Sequence, residues 1–391
     1  MSEEAPLFFL IAGEPSGDVI GANLMRALKA RLGGHVRFAG IGGERMAAEG
    51  LVSQVPIREL AIMGVLEVLP SARRILRRVR ETVDSITALG PRAVVTIDSS
   101  GFCFRVGERL KKLPQRPPII HYVAPMVWAW RPKRAFNAKR ACDHLLTLLP
   151  FEPPYFERIG LPATYVGHPV VESGLDQGNG TAFRERHAIA AQAPVLCLLP
   201  GSRRSEVSRL MPVFAEAVGL LRKRYPDLAV VLPTVANAAD LVRRLTAAWA
   251  VPPLIIDGTE KADAFAGADV ALAASGTVSL ELAMARLPMV IAYKIFGPTH
   301  YLVKRMVKIP HASLVSILLG RKAIPEFLQH DCAPENLAAA VMLLMADSEA
   351  RHAQIHDCHQ ALVMIGLGGE PPGFKAADKI LELAGVMPAA L

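Results

Sequence analysis

Short apolar runs alternate with longer amphipathic stretches along almost the whole of this chain, and the alternation stops once and starts again. Strand-like runs occupy residues 7–12, 37–41, 93–98, 118–123, 144–149 and 164–166, with helical patterns between most of them. A polar, glycine-rich stretch at 170–182 interrupts the pattern and reads as a linker. Strand-like runs then return at 195–199, 228–233, 254–257, 270–274 and 289–293, again with helices between, and two helices follow at 334–346 and 349–364. Strands that alternate with helices form parallel sheets with helices on both faces. Two such series joined by one linker predict two Rossmann-like domains facing across a cleft, at 1–170 and 171–365. A break of glycines and prolines at 366–373 sets off a last helix, 374–384, within a tail segment at 366–391. That helix is expected either to return to the first domain or to swap onto a second copy, which would make a homodimer.

The 391 residues are enough for two cores. The chain is 51% hydrophobic and 20% charged, yet no uncharged apolar run reaches the roughly 18–20 residues that span a bilayer. The first residues, Met-Ser-Glu-Glu, lack the basic start of a signal peptide. A cytoplasmic location is expected. Cys103, Cys142, Cys197, Cys332 and Cys358 are scattered and read as free thiols in a reducing compartment. The net charge of +8 resides in residues 1–170, which hold 23 Lys+Arg against 15 Asp+Glu. Such a half attracts anions, whether phosphorylated ligand, acidic lipid or nucleic acid. No nucleic-acid motif accompanies it.

The first strand runs into Ala12-Gly-Glu-Pro-Ser-Gly-Asp18. This turn is not G-x-G-x-x-G, and its acids Glu14 and Asp18 would repel a pyrophosphate. It suits neutral, hydroxyl-rich chemistry, with Glu14, Ser16 and Asp18 lining a cleft. Asp98 closes another buried strand, a good place for a general base, although an Asx-turn or helix cap would use the same residue. Trp128, in His121-Tyr-Val-Ala-Pro-Met-Val-Trp-Ala-Trp-Arg131, could stack on a sugar, with Arg131 beside it; core packing is the plain alternative. His121 reads as a core histidine. In residues 61–80, Val65, Leu66, Val68 and Leu69 adjoin Arg73, Arg74 and Arg77, which suits either a membrane interface or a helix with solvated arginines.

In the second series, Leu199-Pro-Gly-Ser-Arg203 offers the Gly201 and Ser202 backbone and the Arg203 guanidinium to a phosphate. Ser275, Gly276 and Thr277 open a helix after an apolar strand, where an anion is favoured. Glu281, one turn further, could hold a ribose diol or complete a capping box. His352, His356 and His359 lack the glutamate of an H-E-x-x-H site and predict no metal. No G-x-S-x-G is present.

Together these blocks, with Ile62-Met-Gly-Val-Leu-Glu-Val-Leu69, Leu149-Pro-Phe-Glu152 and Val166-Gly-His-Pro169, resemble the lipid-A-disaccharide synthases, from about residue 7 to 346. The resemblance implies an inverting GT-B glycosyltransferase that needs no metal or organic cofactor. It implies transfer of 2,3-diacylglucosamine from UDP to the 6-hydroxyl of 2,3-diacylglucosamine 1-phosphate, by a peripheral protein at the cytoplasmic face of the inner membrane. Asp98 matches the family's aspartate. Two positions depart from the pattern. The family usually has Pro-Asp-Phe after that aspartate where this chain has Ser99-Ser100-Gly101-Phe102. It commonly has an asparagine near the nucleotide where Ser316 stands. Another UDP-sugar GT-B enzyme, such as a 2-epimerase, and a non-catalytic nucleotide-sugar-binding protein are the rival readings.

Overall fold

A computed structural model describes residues 4–60, 68–129, 132–294 and 310–388. The chain divides into two compact units. One comprises residues 1–169 and 368–391, the other 170–367.

Unit 1 begins β1 (Leu7–Ala12), α1 (Pro15–Arg31), β2 (Arg37–Ile41) and α2 (Glu44–Ala48). It continues through α3 (Val68–Leu89), β3 (Ala93–Ile97), α4 (Ser100–Leu110), β4 (Ile119–Tyr122), α5 (Arg134–Ala141), β5 (His144–Thr147), α6 (Pro153–Glu157) and β6 (Ala163–Tyr165). The six strands form one parallel sheet in the order β2-β1-β3-β4-β5-β6. Strands covered on both faces carry apolar residues at successive positions, which is why Phe8 to Ala12 and Ala93 to Ile97 are buried without interruption. Phe8, Leu10 and Ala12 pack with α1 on one face, and Phe9, Ile11, Val94 and Phe102 form the core of the other.

Unit 2 holds α7 (Gly180–Arg186), β7 (Val195–Leu199), α8 (Arg204–Arg224), β8 (Ala229–Thr234), α9 (Ala236–Thr246), β9 (Leu254–Asp257), α10 (Lys261–Gly267), β10 (Val270–Ala274), α11 (Val278–Met284) and β11 (Met289–Tyr293). It ends with α12 (Leu314–Leu319), β12 (Glu326–Leu328), α13 (Pro334–Ala346) and α14 (Ser348–Met364). Its parallel sheet has the order β12-β11-β10-β7-β8-β9. Every strand read from the sequence is present within two residues at each end, and β12 is an addition.

The stretch at 170–182 is more ordered than a linker. It makes two 3-10 turns, Pro169–Glu172 and Leu175–Gln177. Asn179 then caps α7 by accepting from the Ala182 N–H at 3.0 Å, and its own N–H donates to Asp263 at the head of α10. Its polar residues serve a helix start and a helix contact.

The last helix, α15 (Pro372–Ala384), returns to unit 1. Ala376, Ala377, Ile380 and Leu381 join the core beside α1. The Arg31 guanidinium at the end of α1 forks onto Asp378 at 2.6 and 2.8 Å and also reaches Glu370. Its charged plane lies over Phe374, 4.9 Å from the ring centre.

Candidate active site

In a doubly wound sheet, ligands collect at the carboxyl ends of the strands where the strand order reverses. In unit 1 that point lies between β1 and β3. The chain leaves β1 toward β2 on one side and later continues from β3 outward on the other. Glu14 and the first turn of α1, with Ser16, follow β1, and Asp98 follows β3. The Ser16 hydroxyl donates to Asp98 Oδ2 at 3.2 Å. Gly13 leaves room for the Ser99 side chain, which would collide with any Cβ at that position. The chemistry-bearing loops after the two strands therefore touch.

Asp98 lies one residue beyond the strand, in the left-handed region with φ 51°, and Ser99 follows at φ 40°. Val123, the first residue after β4, has φ 81°. Such backbone costs about 1–3 kcal/mol per residue and is most unfavourable when the side chain is β-branched. The turn lifts the Asp98 carboxylate off the sheet edge and leaves it partly exposed. Its backbone N–H is tied to the Tyr122 carbonyl at 2.9 Å. Three strained residues thus stand on adjacent strand ends at this edge.

Glu14 and Ser16 are exposed, but Asp18 is buried. The Asp18 carboxylate accepts N–H bonds from Gly43 at 2.7 Å, Arg45 at 2.9 Å and Met46 at 3.1 Å. It is the cap of α2, and its oxygens are taken. Trp128 is 7% exposed and donates its indole N–H to Glu152 at 3.0 Å. Core packing describes it better than a stacking platform. His121 is fully buried against Thr96 and Phe104, and burial lowers its pKa to about 3. Arg131, Val65 and Leu66 lie outside the described residues, as do the side chains of Val68 and Leu69. Further along α3, Arg73 and Arg77 are exposed and Arg74 is half-buried, while Val79 is in the core. Leu76 is 46% exposed among these arginines.

Unit 2 repeats the arrangement. Its order reverses between β7 and β10, and the loops after them are 200–203 and 275–277. Gly201 has φ 109°. The exposed Arg203 guanidinium meets Glu206 at 3.0 Å, and Glu206 also accepts the Arg203 N–H at 3.3 Å. Ser202 is exposed beside it. Gly276 and Thr277 are exposed, and the N–H groups of Gly276, Thr277 and Val278 have no hydrogen-bond partner among the described residues. No capping box forms: Thr277 makes no side-chain cap, and Glu281 pairs with Lys261 instead. Ser275 donates from its hydroxyl to the Ala312 carbonyl at 2.8 Å. Glu326, on the strand the sequence does not announce, holds the Ala312 and Ser313 N–H groups at 2.7 and 3.0 Å. Ser316 is fully buried, and its hydroxyl accepts from Ser313, Ala323 and Ile324. It supports that loop from inside. Elsewhere in unit 2, His352, His356 and His359 line a groove with Arg286 and Asp176. Among the described residues no group of three or more His, Cys, Asp or Glu is arranged to hold a metal.

Solved structures with the same architecture include UDP-GlcNAc 2-epimerase from Neisseria meningitidis bound to UDP-GlcNAc, with TM-score 0.65 and 12% identity over 96% of this chain and 98% of that one. A trehalose-6-phosphate synthase aligns with TM-score 0.60 and 12% identity over 98% of this chain and 100% of the other. At such identity they establish the GT-B type of fold alone. Sequence relatives are far closer. The lipid-A-disaccharide synthase of Rhodospirillum centenum is 51% identical over 96% of this chain and 94% of its own length. That of Paramagnetospirillum magneticum is 52% identical over 96% and 97%. Residues 8–366 match the lipid-A-disaccharide synthetase family as a whole, and this chain belongs to that family.

Proposed function

We propose that the protein transfers 2,3-diacylglucosamine from UDP to the 6-hydroxyl of 2,3-diacylglucosamine 1-phosphate, with inversion at the anomeric carbon, and releases UDP. The observation that carries this reading is Asp98, a partly exposed carboxylate held by a strained turn at the switch point of unit 1, in a chain about half identical to named synthases. Asp98 takes the proton of the acceptor hydroxyl as the oxygen bonds to the anomeric carbon. The bond from that carbon to the UDP oxygen breaks, and UDP leaves with the electron pair. Ser16, hydrogen-bonded to Asp98, orients the carboxylate.

Unit 2 takes the nucleotide. The open N–H groups at 276–278 and the Arg203 guanidinium suit a diphosphate whose negative charge grows as it leaves. Glu281 is the acceptor for the ribose hydroxyls, with Gly201, Ser202, Ser275 and Thr277 shaping the loop edges. Glu14 suits the hydroxyls of the acceptor, and the arginines of α3 suit its phosphate. No helix among the described residues is long and apolar enough to cross a membrane. Attachment to the cytoplasmic face of the inner membrane then falls to a basic, apolar surface such as Arg73, Leu76 and Arg77 of α3.

Incubation with both substrates tests the reading. Disaccharide 1-phosphate and UDP are expected in equal amounts. No product, or turnover of non-acylated UDP-N-acetylglucosamine alone, would overturn it.

A further inference from the structure

Glu152 has no part in the chemistry above, yet it is among the most deeply placed charged groups of unit 1, at 3% exposure. Its two oxygens accept three N–H bonds. Oε1 takes the indole of Trp128 at 3.0 Å, and Oε2 takes the backbone of Leu148 at 3.1 Å and Leu149 at 3.0 Å. Leu148 and Leu149 lie on the loop after β5, and Trp128 lies on the loop after β4. One carboxylate thus ties together two neighbouring loops on the working edge of the sheet. Phe151 adds an edge-on contact to the Trp128 ring, 5.1 Å between centres.

The tied loop is the one that begins at the strained Val123. Its backbone is pinned at that end, where the Val123 N–H donates to Leu146 at 3.1 Å. The preceding residue, Tyr122, supplies the carbonyl that holds the Asp98 N–H. A strained turn persists only when its surroundings fix it. Burying a carboxylate is costly, and only a full set of charge-assisted bonds offsets the cost. Packing alone would be met by an apolar residue; a three-way acceptor is what the loop junction needs. Burial pushes the Glu152 carboxyl up to about 7, while its three N–H donors pull it the other way.

We propose that Glu152 is a positioning residue: through Trp128 it sets the 123–128 turn beside Asp98 and thereby the seat of the acceptor sugar. The inference rests on the reading that this edge of unit 1 receives the acceptor.

Glu152→Gln, Trp128→Phe and the double variant test it. A glutamine can satisfy the two backbone donors or the indole, not all three, and phenylalanine removes the indole bond while keeping the packing. Each single change is expected to raise the acceptor KM about tenfold, since small displacements at a reacting site are costly. The donor KM should stay within about twofold. The double variant should be no worse than the worse single one, because both remove one bond. An unchanged acceptor KM in either single variant, or losses that multiply in the double, would overturn the proposal. Should Glu152→Gln unfold, Trp128→Phe alone decides. A rise in the donor KM with the acceptor KM constant would instead sink the acceptor-side reading itself.

Discussion

The Ser16 hydroxyl sits 3.2 Å from the Asp98 carboxylate although the two residues are 82 positions apart. The contact joins the first turn of α1, just after β1, to the turn after β3, where the strand order of unit 1 reverses. The carboxylate there is partly exposed while its backbone N–H is held by the Tyr122 carbonyl.

Replacing that base should remove the chemistry and spare the fold. Asp98→Asn is expected to lower the transfer rate by about 10²- to 10⁴-fold, the usual range for a general base. Ser16→Ala should cost less, because the carboxylate remains. Product formation by mass spectrometry, with thermal unfolding as the control, reads both. A fully active Asp98→Asn would withdraw the assignment.

Asp18 should behave in the opposite way. It caps α2 with three N–H bonds and touches nothing outside. Asp18→Ala is predicted to cost about 2 kcal/mol, from a lost cap and unsatisfied buried donors. The unfolding midpoint should fall by several degrees while the KM values of the remaining folded enzyme hold steady.

Nucleotide affinity is assigned to unit 2. Glu281→Gln should weaken UDP binding about tenfold, the worth of one charge-assisted hydrogen bond. Gly201→Ala is expected to weaken it too, by a different route. A Cβ at φ 109° would meet the Glu206 carboxylate that holds Arg203. Calorimetric titration with UDP separates these from Asp98→Asn, which should bind UDP normally.

Acid should destabilise unit 1 through its buried histidines. Burial lowers His121 to about 3 and His168 to about 4. Below their ordinary pKa the unfolded chain takes up protons that the folded chain refuses, so stability is lost as pH falls from about 6.5 toward 4. Glu152 works against this in the same window. Its carboxyl is raised to about 7, so the folded state holds a proton that the unfolded state releases, and its contribution fades as pH rises from about 4.5 to 7. Glu152→Gln should therefore steepen the loss of stability on acidification, measured by thermal midpoints across pH 4–7.

The strands of both sheets were legible because doubly covered parallel strands are continuous apolar runs, as in 93–97 and 270–274. β12 was not. It is three residues at a sheet edge and begins with Glu326, whose carboxylate holds the loop at 312–313. The place of Asp98 just beyond a strand end was legible as well. Trp128 and Asp18 were harder, because a residue's type and place on a turn do not reveal whether its polar atoms face outward or are consumed within. Their partners, Glu152 and the head of α2, stand 24 and 25 to 28 positions away. Only the packing brings them together. The same holds for Glu281, for which the sequence offers a ribose diol or a capping box and which reaches across to Lys261 on α10.

The return of α15 gives synthesis an order. The chain leaves unit 1 at residue 169 and comes back only at 368, so the side of α1 that α15 covers stays open until all of unit 2 has been made. Unit 2, continuous in sequence, has all its strands out of the ribosome well before that. The half made first is therefore the half finished last. Nascent unit 1 must wait with that side of α1 open or be sheltered, and loss of α15 would injure the unit whose sheet was made first.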